Sequence, residues 1–225
     1  MKRRRFTQAV VMVCIGGAAC SARAGLNEAD AVHGVRAALE RGAQAAVDLL
    51  GRPDGFLANP KVRIPLPGVL ASAAKLLKAT GQQDKVDELV TAMNRAAEAA
   101  VPKAKTLLVQ AAKAMSVEDG LRIVRGPDDS VTQFFASKTR DALGQQFLPI
   151  IVRATERVAL AEKFNAVAGK AAKLGLLNPA DADINRYVTG KTLDGLYLMI
   201  GEEERRIRRD PIGTGSEILK RVFGR

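Results

Sequence analysis

Apolar positions recur along most of this chain at the three-to-four-residue spacing of amphipathic helices. The spacing predicts a first helix from Ala29 to about Leu50, and Gly51 suits its end. It predicts another helix from Lys85 to Ala100. Further helices are predicted over about 68–79, 102–115, 117–125, 128–149, 150–174, 191–209 and 216–223.

No stretch shows the sustained two-residue alternation of a β-sheet, and no repeat or long linker divides the chain. Alanine supplies much of an apolar content of 47%, whereas aromatic residues make up only 4%. Alanine favours helices that pack closely together. We therefore predict an all-α fold: a single multi-helix bundle domain over residues 25–225, with one extended proline-rich segment.

Capping residues and a proline indicate where several helices begin or end. A capping side chain is followed three residues later by an acid at Asn27, Ser116 and Asn178, which is typical of a helix start. Pro149 lies inside a helical pattern and is expected to kink or restart that helix.

The stretch GRPDGFLANPKVRIPLP, residues 51–67, contains four prolines and breaks the helical pattern; we call it the proline-rich segment. In it Val62, Ile64 and Leu66 alternate with Lys61 and Arg63, which places the three apolar residues on one side. We favour a strap that presses these residues into the core and leaves Lys61 and Arg63 in solvent. Two functional alternatives are an extended edge that binds a partner peptide and a basic loop that grips an anion.

Residues 1–24 have the three parts of an export signal: a basic start, an apolar run, and the small-residue site Ala22-Arg23-Ala24. We predict cleavage after Ala24 and a periplasmic protein, exported by the general secretory route or, given Arg3-Arg4-Arg5-Phe6, by the twin-arginine route. Cys14 and Cys20 lie inside this signal, so thiol catalysis and thiolate metal sites are excluded for the mature chain.

The formal net charge of +11 is lowered when the signal is set aside. Residues 1–24 hold five basic residues and no acid, so the mature chain has 30 basic and 24 acidic residues, a net charge of +6. A moderately basic body favours anionic partners, including peripheral contact with anionic lipid, but it lacks the concentrated patch of a nucleic-acid binder. We expect no nucleic-acid partner.

Two polar clusters interrupt the apolar helix faces and are candidates for a ligand or partner site: Asn94 with Arg95 and Glu98, and separately Glu203 with Glu204. Arg63 of the proline-rich segment is a further candidate, because Arg63 or Arg95 would offer charge in a groove with Val62, Ile64 and Leu66 near one wall. Spacing alone does not show whether they share one pocket. The structural reading pairs Glu202 with Arg206 and Glu204 with Arg208, four residues apart. The functional alternative is that one of these glutamates is a buried carboxylate that binds a cation or pairs with Arg95 across the bundle.

Catalytic groups of the usual kinds are scarce. His33 is the one histidine; it lies near the start of the first predicted helix, and we expect a surface or helix-end residue. A serine-type triad or a zinc site needs more imidazole or thiol groups than the mature chain has. We therefore predict no catalytic residue, no metal site and no cofactor.

Four stretches resemble a family of exported bacterial proteins classed as domain of unknown function 4197: GRPDGFLANPKVRIPLP, DELVTAMNRAAEAAVPKAK, QFLPIIVRATE and DGLYLMIGEEERRIRRDPIGTGS. The resemblance covers about residues 34–223. It implies a helical secreted domain, and it supplies neither an activity nor catalytic residues.

Three functions are compatible with the sequence. We favour a non-enzymatic binding or interaction module of the bacterial periplasm, for a protein or a small molecule. The first alternative is an enzyme that uses carboxylates, with Glu98, Glu203 and Glu204 as candidates. The second is an envelope protein that contacts anionic lipid through Arg205, Arg206, Arg208 and Arg209.

Overall fold

The computed structural model describes residues 28–68, 81–173 and 182–210, together with Leu70, Ala71, Ala74 and Ala79. In these ranges the chain forms α1 (Glu28–Leu50), α2 (Gln83–Ala100), α3 (Ala104–Lys113), α4 (Val117–Arg125), α5 (Ser130–Thr155), α6 (Ala159–Lys173) and α7 (Ile184–Arg209). A 3-10 turn, Val101–Lys103, joins α2 to α3. The described part of the chain contains no strand, which confirms the all-α prediction.

The two longest helices, α5 and α7, form the most extensive contact, and α2 packs on α5 while α1 packs on α7. Small side chains allow α2 and α3 to lie close to their neighbours, because Ala96, Ala97 and Ala104 are fully buried. Phe135 and Phe147 of α5 fill the space between the helices. The alanine-rich composition therefore gives close helix packing around a few large side chains.

The predicted start of α4 is confirmed in atomic detail. Ser116 Oγ accepts the Asp119 N–H at 3.1 Å, and the Asp119 carboxylate accepts the Ser116 N–H at 3.3 Å. The start of α7 was predicted about seven residues too late. It begins at Ile184 because the Asp183 carboxylate accepts the Asn185 N–H at 2.8 Å.

The prediction allowed a kink or a restart of the helix at Pro149, and the restart is wrong. Helix α5 continues through Pro149 to Thr155, and the break follows at residues 156–158. Proline has no N–H, so the carbonyl of Gln145, four residues before Pro149, lacks its usual helical partner. Both residues are exposed, so water can hydrogen-bond to that carbonyl. At the true break the Thr155 hydroxyl donates to the Ile151 carbonyl at 2.9 Å, which competes with the helical pattern.

Several predictions fall outside the described residues. They are the export signal, the caps at Asn27 and Asn178, the tail helix, and most of the helix predicted over 68–79.

The proline-rich segment packs onto the bundle as predicted. Val62 and Ile64 are buried, Leu66 is partly buried against the core, and Lys61 and Arg63 are exposed. Phe56, which the alternating apolar pattern does not include, is also fully buried and lies against Gly195 of α7. The segment is thus anchored by aromatic as well as aliphatic side chains.

Gly195 makes room for this anchor. A Cβ added at Gly195 would lie 2.8 Å from Phe56 Cε1 and 3.3 Å from Val62 Cβ, whereas one added at Gly190, on the same helix, would meet nothing within 4 Å. We expect Gly195→Ala to lower the free energy of unfolding by about 1–3 kcal/mol through overpacking. Gly190→Ala should raise it by about 0.5–1 kcal/mol through helix propensity. Urea unfolding followed by circular dichroism measures both, and equal stability of the two variants would contradict this packing.

Candidate functional site

Asn94 on α2 pairs with the main chain of the proline-rich segment much as a neighbouring strand would. Its Oδ1 accepts the Ile64 N–H at 2.8 Å, and its Nδ2 donates to the Ile64 carbonyl at 3.0 Å and to the Val90 carbonyl at 2.8 Å. Asn94 is fully buried, and these bonds satisfy main-chain groups that would otherwise lack a partner. Its amide is therefore occupied by the fold.

Glu98, one turn further along α2, holds the same segment at a second point. Its Oε1 accepts the N–H groups of Phe56 and Leu57, both at 3.0 Å, and its Oε2 accepts from Arg95 Nη1 at 2.7 Å. Arg95 also donates through Nη2 to Asp54 Oδ1 at 2.8 Å. The structure thus brings Asn94, Arg95 and Glu98 together, as a clamp on the segment. The alternative that pairs Arg95 with a buried carboxylate across the bundle is wrong, because Arg95 is held by Glu98 and Asp54.

Glu204 on α7 ties the end of that helix to the start of α5. The carboxylate accepts the Val131 N–H at 3.1 Å and the Thr132 N–H at 3.3 Å, two of the free donors at the α5 N-terminus. Arg208 Nη2 donates to Glu204 Oε1 at 2.9 Å, which confirms that predicted pair, and also to the Ile123 carbonyl at 2.9 Å. Burial raises the pKa of the Glu204 carboxyl, while the Val131 N–H and Arg208 act in the opposite direction.

The other two glutamates of this cluster have different partners from those predicted. Glu202 pairs with Lys61 of the proline-rich segment at 2.5 Å, not with Arg206. Arg206 pairs with Glu203 at 2.5 Å. The predicted spacing of four was geometrically allowed, but Lys61 approaches Glu202 from another element. None of the cavities described below is lined by a member of the Asn94–Glu98 cluster or by Glu203 or Glu204.

Arg63 lines a surface cavity of about 300 Å³ between the proline-rich segment and α7, which we call the basic groove. The groove is lined by one acid, Asp194, and by three cations: Lys61, Arg63 and Lys191. Arg140 holds the Asp194 carboxylate at 2.6 Å, whereas Lys191 stands 3.9 Å from it. Arg63 makes no ion pair with any residue that the structure describes. The groove is therefore a positively charged recess.

The same groove also has apolar walls. Val62 and Ile64 lie at its base, and Leu198 of α7 is 41% exposed beside them. Tyr187 donates through its hydroxyl to the Pro65 carbonyl at 3.0 Å, which joins the two walls. The sequence-based prediction did not include Tyr187, Lys191 and Leu198 in a site. Tyr187 and Lys191 are four residues apart, and Lys191 and Leu198 are seven apart, which is the spacing of residues on one helix face.

The remaining candidates are dispersed. His33 is exposed, as predicted. Arg208, one of the four arginines proposed to meet lipid, is only 14% exposed in its side chain and is engaged by Glu204. Across the described ranges, no group of three or more His, Cys, Asp or Glu side chains is placed to hold a metal ion.

A family model described as a protein of unknown function, DUF4197, matches residues 25–224. The chain belongs to this family. Searches of curated proteins and of solved structures gave no match. In this DUF4197 chain, no helix of the described part is long and apolar enough to cross a membrane.

The Asn94 contact gives a first prediction for this DUF4197 chain. Asn94→Leu keeps the branching and the number of side-chain heavy atoms but leaves the N–H and carbonyl of Ile64 buried without partners. We expect the free energy of unfolding to fall by about 2–4 kcal/mol and amide exchange at Ile64 to accelerate. Asn59→Ala is the matched control, because Asn59 Oδ1 accepts the Lys61 N–H at an exposed position, at 3.2 Å, and its loss should cost less than about 1 kcal/mol. A cost for Asn94→Leu no larger than the control's would refute the clamp.

The two capping acids Glu204 and Asp119 should respond oppositely to pH. Burial raises the pKa of Glu204 above its ordinary 4.5, so the native state takes up a proton first on acidification. The stability of the wild type relative to Glu204→Gln should therefore rise as pH falls through the folded pKa towards 4.5. The Ser116 hydrogen bond lowers the pKa of Asp119 below its ordinary 3.8. The stability of the wild type relative to Asp119→Asn should be largest above 3.8 and disappear below the folded pKa. Urea unfolding at a series of pH values measures both slopes, and slopes of the same sign would contradict these assignments.

Proposed function

We propose that this chain is an exported, non-enzymatic binding protein of the periplasm, and that its basic groove takes an anionic ligand that carries an apolar group. One observation carries the proposal: Lys61, Arg63 and Lys191 line a single recess whose base is apolar.

The charge of the groove favours an anion. Its three cations exceed its one acid. From outside the groove, Glu202 pairs with Lys61 and Arg140 engages Asp194, so Arg63 is the groove cation that has no ion pair with a described residue. Arg63 offers a planar guanidinium with several donors, which suits a carboxylate or a phosphate. The ligand chemistry we infer is therefore a carboxylate or a phosphate monoester on a short hydrocarbon chain, with the chain against Leu198.

The proline-rich segment is better suited to present side chains than to pair with a peptide. Asn94 already occupies both main-chain groups of Ile64, and the Arg63 N–H bonds to the Asn59 carbonyl at 2.9 Å. Pro65 and Pro67 have no N–H to offer. Among the alternatives weighed for this segment, these contacts favour the anion-gripping loop over strand addition.

The alternative of a carboxylate-dependent enzyme has less support. Main-chain N–H groups and an arginine engage the carboxylates of Glu98 and Glu204, and Glu203 is paired with Arg206. A proton transfer at Glu98 or Glu204 would disturb the main chain that each one holds. These contacts favour structural roles for both residues.

The proposed location rests on the sequence of residues 1–24 and on the start of the family match at residue 25, next to the predicted cleavage site. Intact-mass measurement of protein from the periplasmic fraction tests it. A mature chain that begins at Gly25 is expected, and an uncleaved chain in the cytoplasm would refute export.

Binding of octyl phosphate, measured by isothermal titration calorimetry, tests the groove. Inorganic phosphate and 1-octanol are titrated separately for comparison. We expect both to bind more weakly than octyl phosphate, because inorganic phosphate lacks the hydrocarbon chain and 1-octanol lacks the charged headgroup. Octanoate distinguishes a carboxylate from a phosphate headgroup. We expect Arg63→Gln to weaken octyl phosphate binding about fivefold or more, and more strongly at low salt.

Arg52→Gln is the matched control, because Arg52 is an exposed arginine of the same segment that does not line the groove. It should change the affinity by less than about twofold. Equal effects of the two substitutions would indicate unspecific attraction by net charge and would overturn the proposed site.

A further inference from the structure

A second groove lies between α3, α4 and α5 and shares no residue with the basic groove. It consists of two adjoining cavities of about 330 and 470 Å³, which have Asp119, Phe134 and Lys138 in common. We call it the α3–α5 groove. Its centre is where the two cavities meet, beside these three side chains.

The floor of this groove is apolar and firmly held. Phe134 is 9% exposed, and its ring packs at a tilt on the fully buried Phe135, with ring centres 5.7 Å apart. Leu107 and Ala111 of α3 extend the floor on one side, and Ile123 of α4 extends it on the other. A hydrocarbon side chain can therefore be covered here without rearrangement of the fold.

Charges of opposite sign line this groove: Asp119 of α4 and Lys138 of α5. Asp119 is held in place by its bonds with Ser116 at the start of α4, and its pKa is lowered by that contact and, further, by Lys138 and Arg122. It is therefore a carboxylate at neutral pH. Lys138 is exposed on α5 and forms no ion pair with a described residue, so its ammonium is available to a ligand. Arg122 Nη1 stands 3.9 Å from Asp119 Oδ1, which leaves Asp119 only loosely paired.

We propose that the α3–α5 groove binds a short peptide with free termini and apolar side chains. Asp119 receives the terminal ammonium, Lys138 receives the terminal carboxylate, and Phe134 contacts the side chains. A purely anionic ligand would meet repulsion from Asp119, and a purely cationic one would meet repulsion from Lys138 and Arg122. A zwitterion satisfies both sides, and its hydrocarbon part covers the apolar floor between them.

The experiment uses Leu-Leu as the probe, with chemical-shift changes of the amides of residues 119–139 as the readout. N-acetyl-Leu-Leu removes the ammonium, and Leu-Leu-amide removes the carboxylate. We expect each blocked form to bind about fivefold or more weakly than Leu-Leu, because a charge on one side loses its partner. Equal binding of all three would overturn recognition of the termini, and so would the absence of shifts in this groove.

Two substitutions test which residue binds which terminus. Lys138→Gln should abolish the preference for Leu-Leu over Leu-Leu-amide and keep the preference for Leu-Leu over N-acetyl-Leu-Leu. Asp119→Asn should do the reverse, and the Oδ1 of an asparagine can still accept the Ser116 N–H at the start of α4. Because each test is a ratio of affinities in one folded variant, a change in stability does not affect it.

Lys105→Gln is the matched control, since Lys105 is an exposed lysine of α3 outside the groove. It should leave both ratios unchanged. A loss of both preferences in either groove variant, or a change in the control, would overturn the two-ended assignment. Failure of octyl phosphate to bind in the basic groove would not bear on this result, because the two sites share no residue.

Discussion

The paired hydrogen bonds between Asn94 and the main chain of Ile64 are the contact on which the arrangement of the proline-rich segment depends. Prolines prevent this segment from continuing a helix and leave it few donors, yet it crosses a tightly packed bundle. Asn94 supplies at one position the donor and acceptor that a strand would supply. The segment can then bury Val62 and Ile64 while its basic side chains stay in water.

Buried carboxylates serve the main chain at two separate places. Glu98 receives the N–H groups of Phe56 and Leu57, and Glu204 receives those at the start of α5. In each case an arginine from the same helix balances the charge, Arg95 for Glu98 and Arg208 for Glu204. In both cases hydrogen bonds and a counter-charge oppose the desolvation of a buried carboxylate, and at Glu204 desolvation remains the larger effect, so that its pKa is raised.

The buried polar groups Asn94, Glu98 and Glu204 hold the fold, whereas the charges that line the two grooves stand at the surface. Asp119 has both positions, because it caps α4 and lines the α3–α5 groove. The grooves differ in chemistry. The basic groove has an excess of cations, and the α3–α5 groove has opposite charges across an apolar floor. Two ligands of different charge are therefore compatible with one rigid scaffold.

Periodic patterns in the sequence were sufficient for the helices, for the cap at Ser116 and for the inward face of Val62 and Ile64. These features depend on neighbours within a few residues, and local geometry relates spacing directly to direction. The same reasoning identified Asn94, Arg95 and Glu98 as a polar cluster. It also expected Pro149 to kink or restart its helix, and it could not anticipate that Pro149 and Gln145 lie at the exposed surface of a helix that continues to Thr155.

Only the tertiary structure decided the partner of each charge. Glu202 has Arg206 four residues away, yet it pairs with Lys61, which is distant along the chain. Arg63 and Lys191 line one recess because the proline-rich segment packs across α7 at Gly195. Helix crossing positions set such distances, and the spacing of residues within one helix carries no information about where another element crosses it. The sequence by itself therefore determined the elements and their buried faces, and packing alone determined which charges meet.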